Sequence, residues 1–317
     1  MAGTAVGLDL GGTKCLGVVV DDTGRVVEEV RLRTPKGADA ILDVLADAAR
    51  QLLATDAGSR SEGRVGVGVP GLVDVDGVLR FAPNLPGVFD LPVAAGLSER
   101  LGGVAVKALN DATCACWGER THGAAQGCNH VLLITLGTGI GGGIVTDGHL
   151  LLGARGFAGE VGHMVVDPHG PPCPCGKRGC WERYASGSGL GRLAREAAQA
   201  GQSPRIVALA GGDPEAVRGE HVTQAAAEGD AGAQAVLERF AWWLALGLAN
   251  LANVFDPDRI VVGGGLVTSG ERFLVPARLA FHDLVEAVDH RPEIPIVPAL
   301  LGEHAGAVGA AVFASTP

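Results

Sequence analysis

Apolar residues fall in short runs along this chain, and glycine punctuates them. The opening stretch AVGLDLGGTKCLGVVVDDTGRVVEEVRLRT reads as two or three strands, split by a glycine turn and by Asp22-Thr23-Gly24. Ile41, Leu42, Leu45, Ala48, Ala49 and Leu52 then recur at helical spacing. A strand over 64–70 comes next, and the Pro- and Gly-rich stretch 71–96 predicts irregular structure. A short helix over 97–101 and a strand over 104–109 lead to Asn110-Asp111, where a helix starts. Residues 130–147 predict a second β hairpin around glycines, whereas 153–179 shows no regular period. Helical patterns run to Asn253. A strand over 259–262 enters Gly263-Gly264-Gly265 with a helix after it, and the chain closes with a strand over 294–297 and a small-residue helix over 302–314. Strands alternating with helices make the class α/β.

One internal repeat stands out. Aligning Leu10–Val19 with Leu136–Val145 matches Leu, Gly and Gly at the first, second and eighth places, and Asp21 and Asp147 then fall at equivalent positions. Two strand–glycine turn–strand units suggest two similar half-folds facing each other.

Composition narrows the class. A chain of 317 residues suits two domains, and 47% hydrophobic content with only 4% aromatics implies a core of Val, Leu, Ile and Ala. The net charge of −10 and the lack of any Lys/Arg block argue against a nucleic-acid partner. No signal-peptide pattern opens the chain and no apolar run is long enough for a membrane span, so a soluble cytoplasmic protein is expected.

The glycine turns are candidate phosphate loops. Gly11-Gly12-Thr13 between two strands exposes consecutive backbone N–H groups, which form concave anion sites. Asp9 just before the turn can hold hydrated Mg²⁺, while Thr13 and Lys14 can reach phosphate oxygens. The plainer alternative is an ordinary hairpin turn. Gly137-x-Gly139-x-x-Gly142 matches the dinucleotide fingerprint, but that fingerprint needs a helix next, and Gly143-Ile144-Val145-Thr146 reads as strand. No Gly-x-x-x-x-Gly-Lys-Ser/Thr loop occurs.

Of seven cysteines, three crowd together as Cys173, Cys175 and Cys180, with His163 ten residues ahead of the first. Three thiolates and an imidazole make a closed tetrahedral Cys₃His set, the pattern of structural Zn²⁺, with no open position for an activated water. The alternative is a loop of reduced, unliganded thiols. Zinc there would also draw Glu160 and Glu182 together with His163, and carboxylates beside an imidazole can read neighbouring sugar hydroxyls.

Together these motifs resemble the ROK family (repressors, open reading frames and kinases) and, within it, the bacterial glucokinases, particularly those of actinobacteria. The residues that carry the resemblance are Asp9-Leu-Gly-Gly-Thr-Lys14, Gly68-Val-Pro-Gly-Leu-Val-Asp74, Pro83-Asn-Leu-Pro-Gly87 and Asn110-Asp111. Leu136-Gly-Thr-Gly-Ile-Gly-Gly-Gly143, Glu160-Val-Gly-His163, Cys173-Pro-Cys-Gly-Lys-Arg-Gly-Cys-Trp-Glu182 and Gly263-Gly-Gly265 complete the set, in family order over nearly the whole chain.

The resemblance implies two actin-like (ribonuclease H-like) ATPase domains with an interdomain cleft. The small N-terminal domain would span 1–110 plus 302–317, and the large one, with the zinc loop, 111–301. It implies ATP-dependent phosphorylation of D-glucose at the 6-hydroxyl, with Asp111 as catalytic base. Asn84, Asn110, Asp111, Glu160, His163 and Glu182 would be the sugar ligands. The turns at Gly11, Gly12, Thr13 and at Thr138, Gly139 would hold ATP phosphates, with Gly264 and Gly265 near the adenosine. ATP, Mg²⁺ and a structural Zn²⁺ are the implied cofactors, and a homodimer or homotetramer the implied assembly. A plainer role for Asp111 is the N-cap of its helix. Kinases for N-acetylmannosamine, N-acetylglucosamine or fructose share these motifs. A sugar-sensing repressor is disfavoured, because only eight residues precede Asp9 and the charge is acidic.

Overall fold

Two five-stranded sheets share one strand order, which gives the early sequence repeat its structural meaning. The computed structural model describes residues 3–61, 63–266 and 271–316. Among them the strands are β1 (Ala5–Leu10), β2 (Lys14–Val20), β3 (Val26–Arg33), β4 (Arg64–Val69), β5 (Leu72–Val73), β6 (Val78–Phe81), β7 (Phe89–Pro92), β8 (Ala105–Asn110), β9 (Val131–Leu136), β10 (Ile140–Thr146), β11 (His149–Leu150), β12 (Arg259–Gly263) and β13 (Ile296–Pro298). The helices are α1 (Ala38–Leu53), α2 (Val93–Arg100), α3 (Asp111–His122), α4 (Glu182–Ala185), α5 (Gly187–Gln199), α6 (Pro204–Leu209), α7 (Gly219–Ala227), α8 (Ala231–Phe255), α9 (Glu271–Leu284) and α10 (Ala305–Ser315). None of these helices is long and apolar enough to cross a membrane.

The first sheet runs β3-β2-β1-β4-β8 and the second β11-β10-β9-β12-β13. In the first, β1–β2 and β2–β3 pair antiparallel while β1–β4 and β4–β8 pair parallel. In the second, β10–β11 is antiparallel and β12–β13 parallel. This mixed α/β architecture is that of the actin-like ATPases.

By contacts the chain divides into two compact units, one made of Met1–Leu133, Gly142–Gly159 and Ala299–Pro317, the other of Ile134–Gly141 and Glu160–Pro298. The sequence boundary at 110/111 falls inside the first unit. The reason is α10, which lies against α3 so closely that a Cβ at Gly118 would come 3.0 Å from the Gly309 nitrogen.

Period-two alternation gives the first sheet two different faces. Val6, Leu8, Leu10, Val65, Val67 and Val69 enter one core with Ile41, Leu45 and Leu52 of α1 and Leu97 of α2. The opposite face presents small residues, and a Cβ at Gly7 would sit 2.6 Å from the Ala311 nitrogen of α10. Helix α10 is accordingly built mostly of Ala, Gly and Val and is buried along most of its length. Asp9 lies on this small-residue face, its carboxyl against Gly306.

The stretch read as irregular, 71–96, instead folds into a three-stranded sheet, β5-β6-β7, and the start of α2. Its nucleus is the buried Asp74, whose Oδ1 accepts from the amides of Asp76 (3.0 Å) and Val78 (2.9 Å) while Oδ2 accepts from Arg80 Nε (2.7 Å). That side chain stands in for the alternation that the short strands lack. Helix α9 begins at Glu271, and the residues between it and Leu266 lie outside the described set. The closing helix starts at Ala305, after a single 3₁₀ turn over Gly302–His304.

Candidate active site and metal centre

Within the first unit, three neighbouring strand ends bring the early motifs together. Asp9 is in register with Gly68 across β1–β4, and Gly68 with Leu109 across β4–β8. Asp111 follows Leu109 by two residues, and a Cβ at Gly68 would lie 3.4 Å from the Asp111 Cα. Bare backbone at Gly68 thus leaves two carboxyl groups near each other. Burial, reinforced by the Asp111 charge and opposed by Lys14, pushes Asp9 up to about 7. Burial likewise raises Asp111, against the Ala112 amide that hydrogen-bonds its Oδ1 at 2.8 Å. Two crowded carboxyl groups raised in this way are a donor set suited to a divalent cation, which would relieve the repulsion.

The N-cap of α3 is Asn110. Its Oδ1 accepts from the amides of Ala112 (2.9 Å) and Thr113 (3.1 Å), and its Nδ2 donates to the Gly71 carbonyl at 3.1 Å. Asp111 is therefore the first helical residue, not the cap. These bonds orient the Asn110 side chain, whereas among the described residues Asn84 makes no side-chain hydrogen bond.

The turn between β1 and β2 is held from behind. The Gly11 amide donates to the Lys14 carbonyl at 2.8 Å, the Thr34 amide to the Thr13 carbonyl at 3.1 Å, and the Thr34 hydroxyl to the Gly11 carbonyl at 2.8 Å. The amides of Gly12 and Thr13 donate to no carbonyl among the described residues, as an anion-binding turn requires. Without a ligand, Lys14 Nζ donates to Glu303 Oε2 at 2.6 Å. Arg31 grips the same carboxylate at 3.0 and 2.7 Å, and these two cations, Arg31 first, hold Glu303 down to about 2. Nothing local in the sequence links Lys14 to a partner 289 positions away.

Within the second unit, the late motifs converge in the same manner. The ligand atoms of His163, Cys173, Cys175 and Cys180 all lie within 4.8 Å of one another. Tetrahedral zinc, with bonds of about 2.3 Å to sulfur and about 2.0 Å to nitrogen, needs S···S edges of about 3.8 Å and S···N edges of about 3.6 Å. Cys175 Sγ and Cys180 Sγ are 3.6 Å apart, and Cys173 Sγ and His163 Nδ1 are 3.9 Å apart. The four residues fit the ion. The other ring nitrogen of His163, Nε2, lies 3.9 Å from Glu160 Oε2.

Glu182 joins this cluster to the second glycine turn. Its Oε1 accepts from Cys173 Sγ at 3.0 Å and lies 3.8 Å from His163 Nδ1. Its Oε2 faces Gly139, where a Cβ would come within 2.5 Å of it. The turn itself is pinned by the Gly187 amide donating to the Gly137 carbonyl at 2.8 Å and by Ser188 Oγ donating to the Thr138 carbonyl at 2.5 Å. Gly264, at φ 90°, passes so close to Leu136 that a Cβ would lie 2.5 Å from its carbonyl oxygen. Between Cys180 and Glu182, the fully buried Trp181 donates from Nε1 to the Trp243 carbonyl of α8 at 2.7 Å, and its ring covers Gly247. This anchor of the cysteine loop is one that spacing alone does not reveal.

The ROK family model matches residues 5–316. A glucokinase of Streptomyces coelicolor is 37% identical over 321 residues, covering 99% of this chain and 98% of that one. A glucokinase of Thermotoga maritima is 36% identical over 309 residues, covering 96% and 95%. Among solved structures, a ROK family glucokinase from Streptomyces griseus in complex with glucose and AMPPNP is 39% identical, with a TM-score of 0.83 over 98% of this chain and 99% of that one.

Proposed function

The chain belongs to the ROK family, and on that premise we propose that it is a glucokinase, transferring the γ-phosphoryl group of ATP to the 6-hydroxyl of D-glucose to give glucose 6-phosphate and ADP. The observation that carries this reading is the pairing, in the first unit, of a raised carboxyl group at Asp111 with an open amide turn at Gly12–Thr13.

Phosphoryl transfer depends on alignment and on neutralising charge more than on covalent help. Asp111 accepts the proton of the attacking hydroxyl, and burial gives its carboxylate the proton affinity that task needs. Asn110, by capping α3, fixes the backbone from which Asp111 projects. The turns at Gly11–Thr13 and at Thr138–Gly139 hold phosphate oxygens through backbone amides, and Gly264 and Gly265 border the adenosine. Lys14 exchanges Glu303 for phosphate, because a pair whose side chains are 50% and 46% exposed contributes only about 0–1 kcal/mol. Asn84, Asn110, Glu160, His163 and Glu182 hydrogen-bond the sugar hydroxyls. Asp9 would hold Mg²⁺ through water, and that ion supplies charge neutralisation on the phosphates. His163, Cys173, Cys175 and Cys180 would hold a structural Zn²⁺ that stiffens the loop carrying Glu182.

The same reading makes the protein a cytoplasmic homodimer or homotetramer with glucose and ATP as its partners and no nucleic-acid ligand, in keeping with a net charge of −10. The test is ADP release with ATP and Mg²⁺ across glucose, fructose, N-acetylglucosamine and N-acetylmannosamine. Glucose is expected to be turned over best. Turnover of N-acetylmannosamine without glucose overturns the assignment.

A further inference from the structure

Within the second unit, helix α5 begins against the second glycine turn. Its first residue, Gly187, donates its amide to the Gly137 carbonyl at 2.8 Å, and the hydroxyl of its second, Ser188, donates to the Thr138 carbonyl at 2.5 Å. In a planar trans peptide the carbonyl of one residue and the N–H of the next point in opposite directions. Holding the Gly137 carbonyl toward α5 therefore aims the Thr138 N–H away from the helix. Holding the Thr138 carbonyl aims the Gly139 N–H the same way. Neither amide donates to a carbonyl among the described residues, so both are open to an anion. The first glycine turn is backed in a similar manner, since the Thr34 hydroxyl donates to the Gly11 carbonyl at 2.8 Å and so turns the Gly12 amide outward.

The two contacts from α5 differ in what sustains them. The Gly187 contact joins backbone to backbone and does not depend on a side chain. The Thr138 carbonyl depends on Ser188, whose amide reaches it only at 3.4 Å while its hydroxyl makes the short bond. Ser188 is not needed to cap its helix, because Ser186 Oγ accepts from the Gly189 amide at 3.1 Å. The half-buried Ser188 thus carries a hydroxyl whose hydrogen bond sets the plane of one turn peptide.

We propose that Ser188 is a positioning residue for the phosphoryl donor: through the Thr138 carbonyl it aims the Gly139 amide at the ATP phosphates, without contacting them itself. The proposal rests on the glucokinase reading, in which this turn holds those phosphates, and adds to it a residue fifty positions along the chain.

The test compares Ser188→Thr, which keeps the hydroxyl, with Ser188→Val, which has the shape of threonine without it. Steady-state kinetics, calorimetric titration with ADP and thermal melting are measured on the full, zinc-loaded chain. Losing one hydrogen bond of this kind is expected to raise KM for ATP and Kd for ADP about three- to tenfold in the Val variant. Its KM for glucose and its Tm should stay close to the parent, and the Thr variant should resemble the parent throughout. Equal nucleotide affinity in the two variants overturns the proposal. So does a rise in KM for glucose as large as that for ATP, or a fall in Tm of several degrees confined to the Val variant, since either makes the hydroxyl a general support of the unit. A parent that does not phosphorylate glucose sinks the underlying reading instead, and the ADP titrations still decide whether Ser188 acts on the turn.

Discussion

Oε1 of Glu119 accepts a hydrogen bond from the Leu301 amide at 2.8 Å, across 182 positions of sequence. Its Oε2 accepts from the amides of Leu300 (3.1 Å) and Ala124 (2.7 Å), and the residue is fully buried. One carboxyl group at the end of α3 thus satisfies three backbone donors and fixes the segment that leads into α10. Glu119→Ala leaves those donors without an acceptor in a buried setting. The expected cost is about 3 kcal/mol or more, seen as a fall in Tm of several degrees by calorimetry. A Tm within a degree of the parent contradicts this role.

Asp111→Ala is expected to lower kcat by about 10²–10⁴-fold with little change in Tm, because Asn110 continues to cap α3. The pH profile carries the same signature. Asp111 must be ionised to accept a proton, and burial raises it, so the acid limb of kcat/KM lies at higher pH than an ordinary aspartate gives. Measuring that limb in the usual carboxylate range near pH 4 counts against Asp111 as the base.

Asp9 offers a stability test with a definite sign. Its folded value of about 7 lies above the ordinary value of 3.8, so its contribution is fully present below about pH 4 and lost as pH rises through about 7. In divalent-free buffer Asp9→Asn should therefore raise Tm at pH 8 and leave it unchanged near pH 4. The upper limit is on the order of 4 kcal/mol. The same substitution should depress turnover with MgATP. A lower Tm at pH 8 than the parent refutes the assignment.

Cys175→Ser is expected to drop bound zinc from about one ion per chain toward zero, measured by elemental analysis. Glu182 follows the ligand Cys180 by two residues, so the effect should fall on KM for glucose, about tenfold, and less on KM for ATP. Full zinc content in the variant excludes this ligand set.

The sequence made the half-fold repeat legible because each glycine turn is bracketed by apolar runs, and both runs become the first two strands of sheets with matching order. The metal cluster was legible from spacing, since four soft ligands in a loop poor in apolar residues have little else to pack on. What stayed hidden depends on distant or single side chains. Strands β5, β6 and β7 are too short for alternation to register, and their turn is organised by Asp74. Lys14 reads as a phosphate ligand locally, and only the folded chain brings Glu303 to it.

The close seat of α10 on the first sheet dictates an order of events at the ribosome. Ala5 of β1 emerges three hundred positions before Ala305 of α10. At roughly 5–20 residues per second, the small-residue face of that sheet waits about 15–60 s for its cover. The intervening residues of the second unit can organise meanwhile, so the half of the molecule synthesised first is the half completed last. Nascent chains arrested before Ala305 should expose that face to chaperones and proteases.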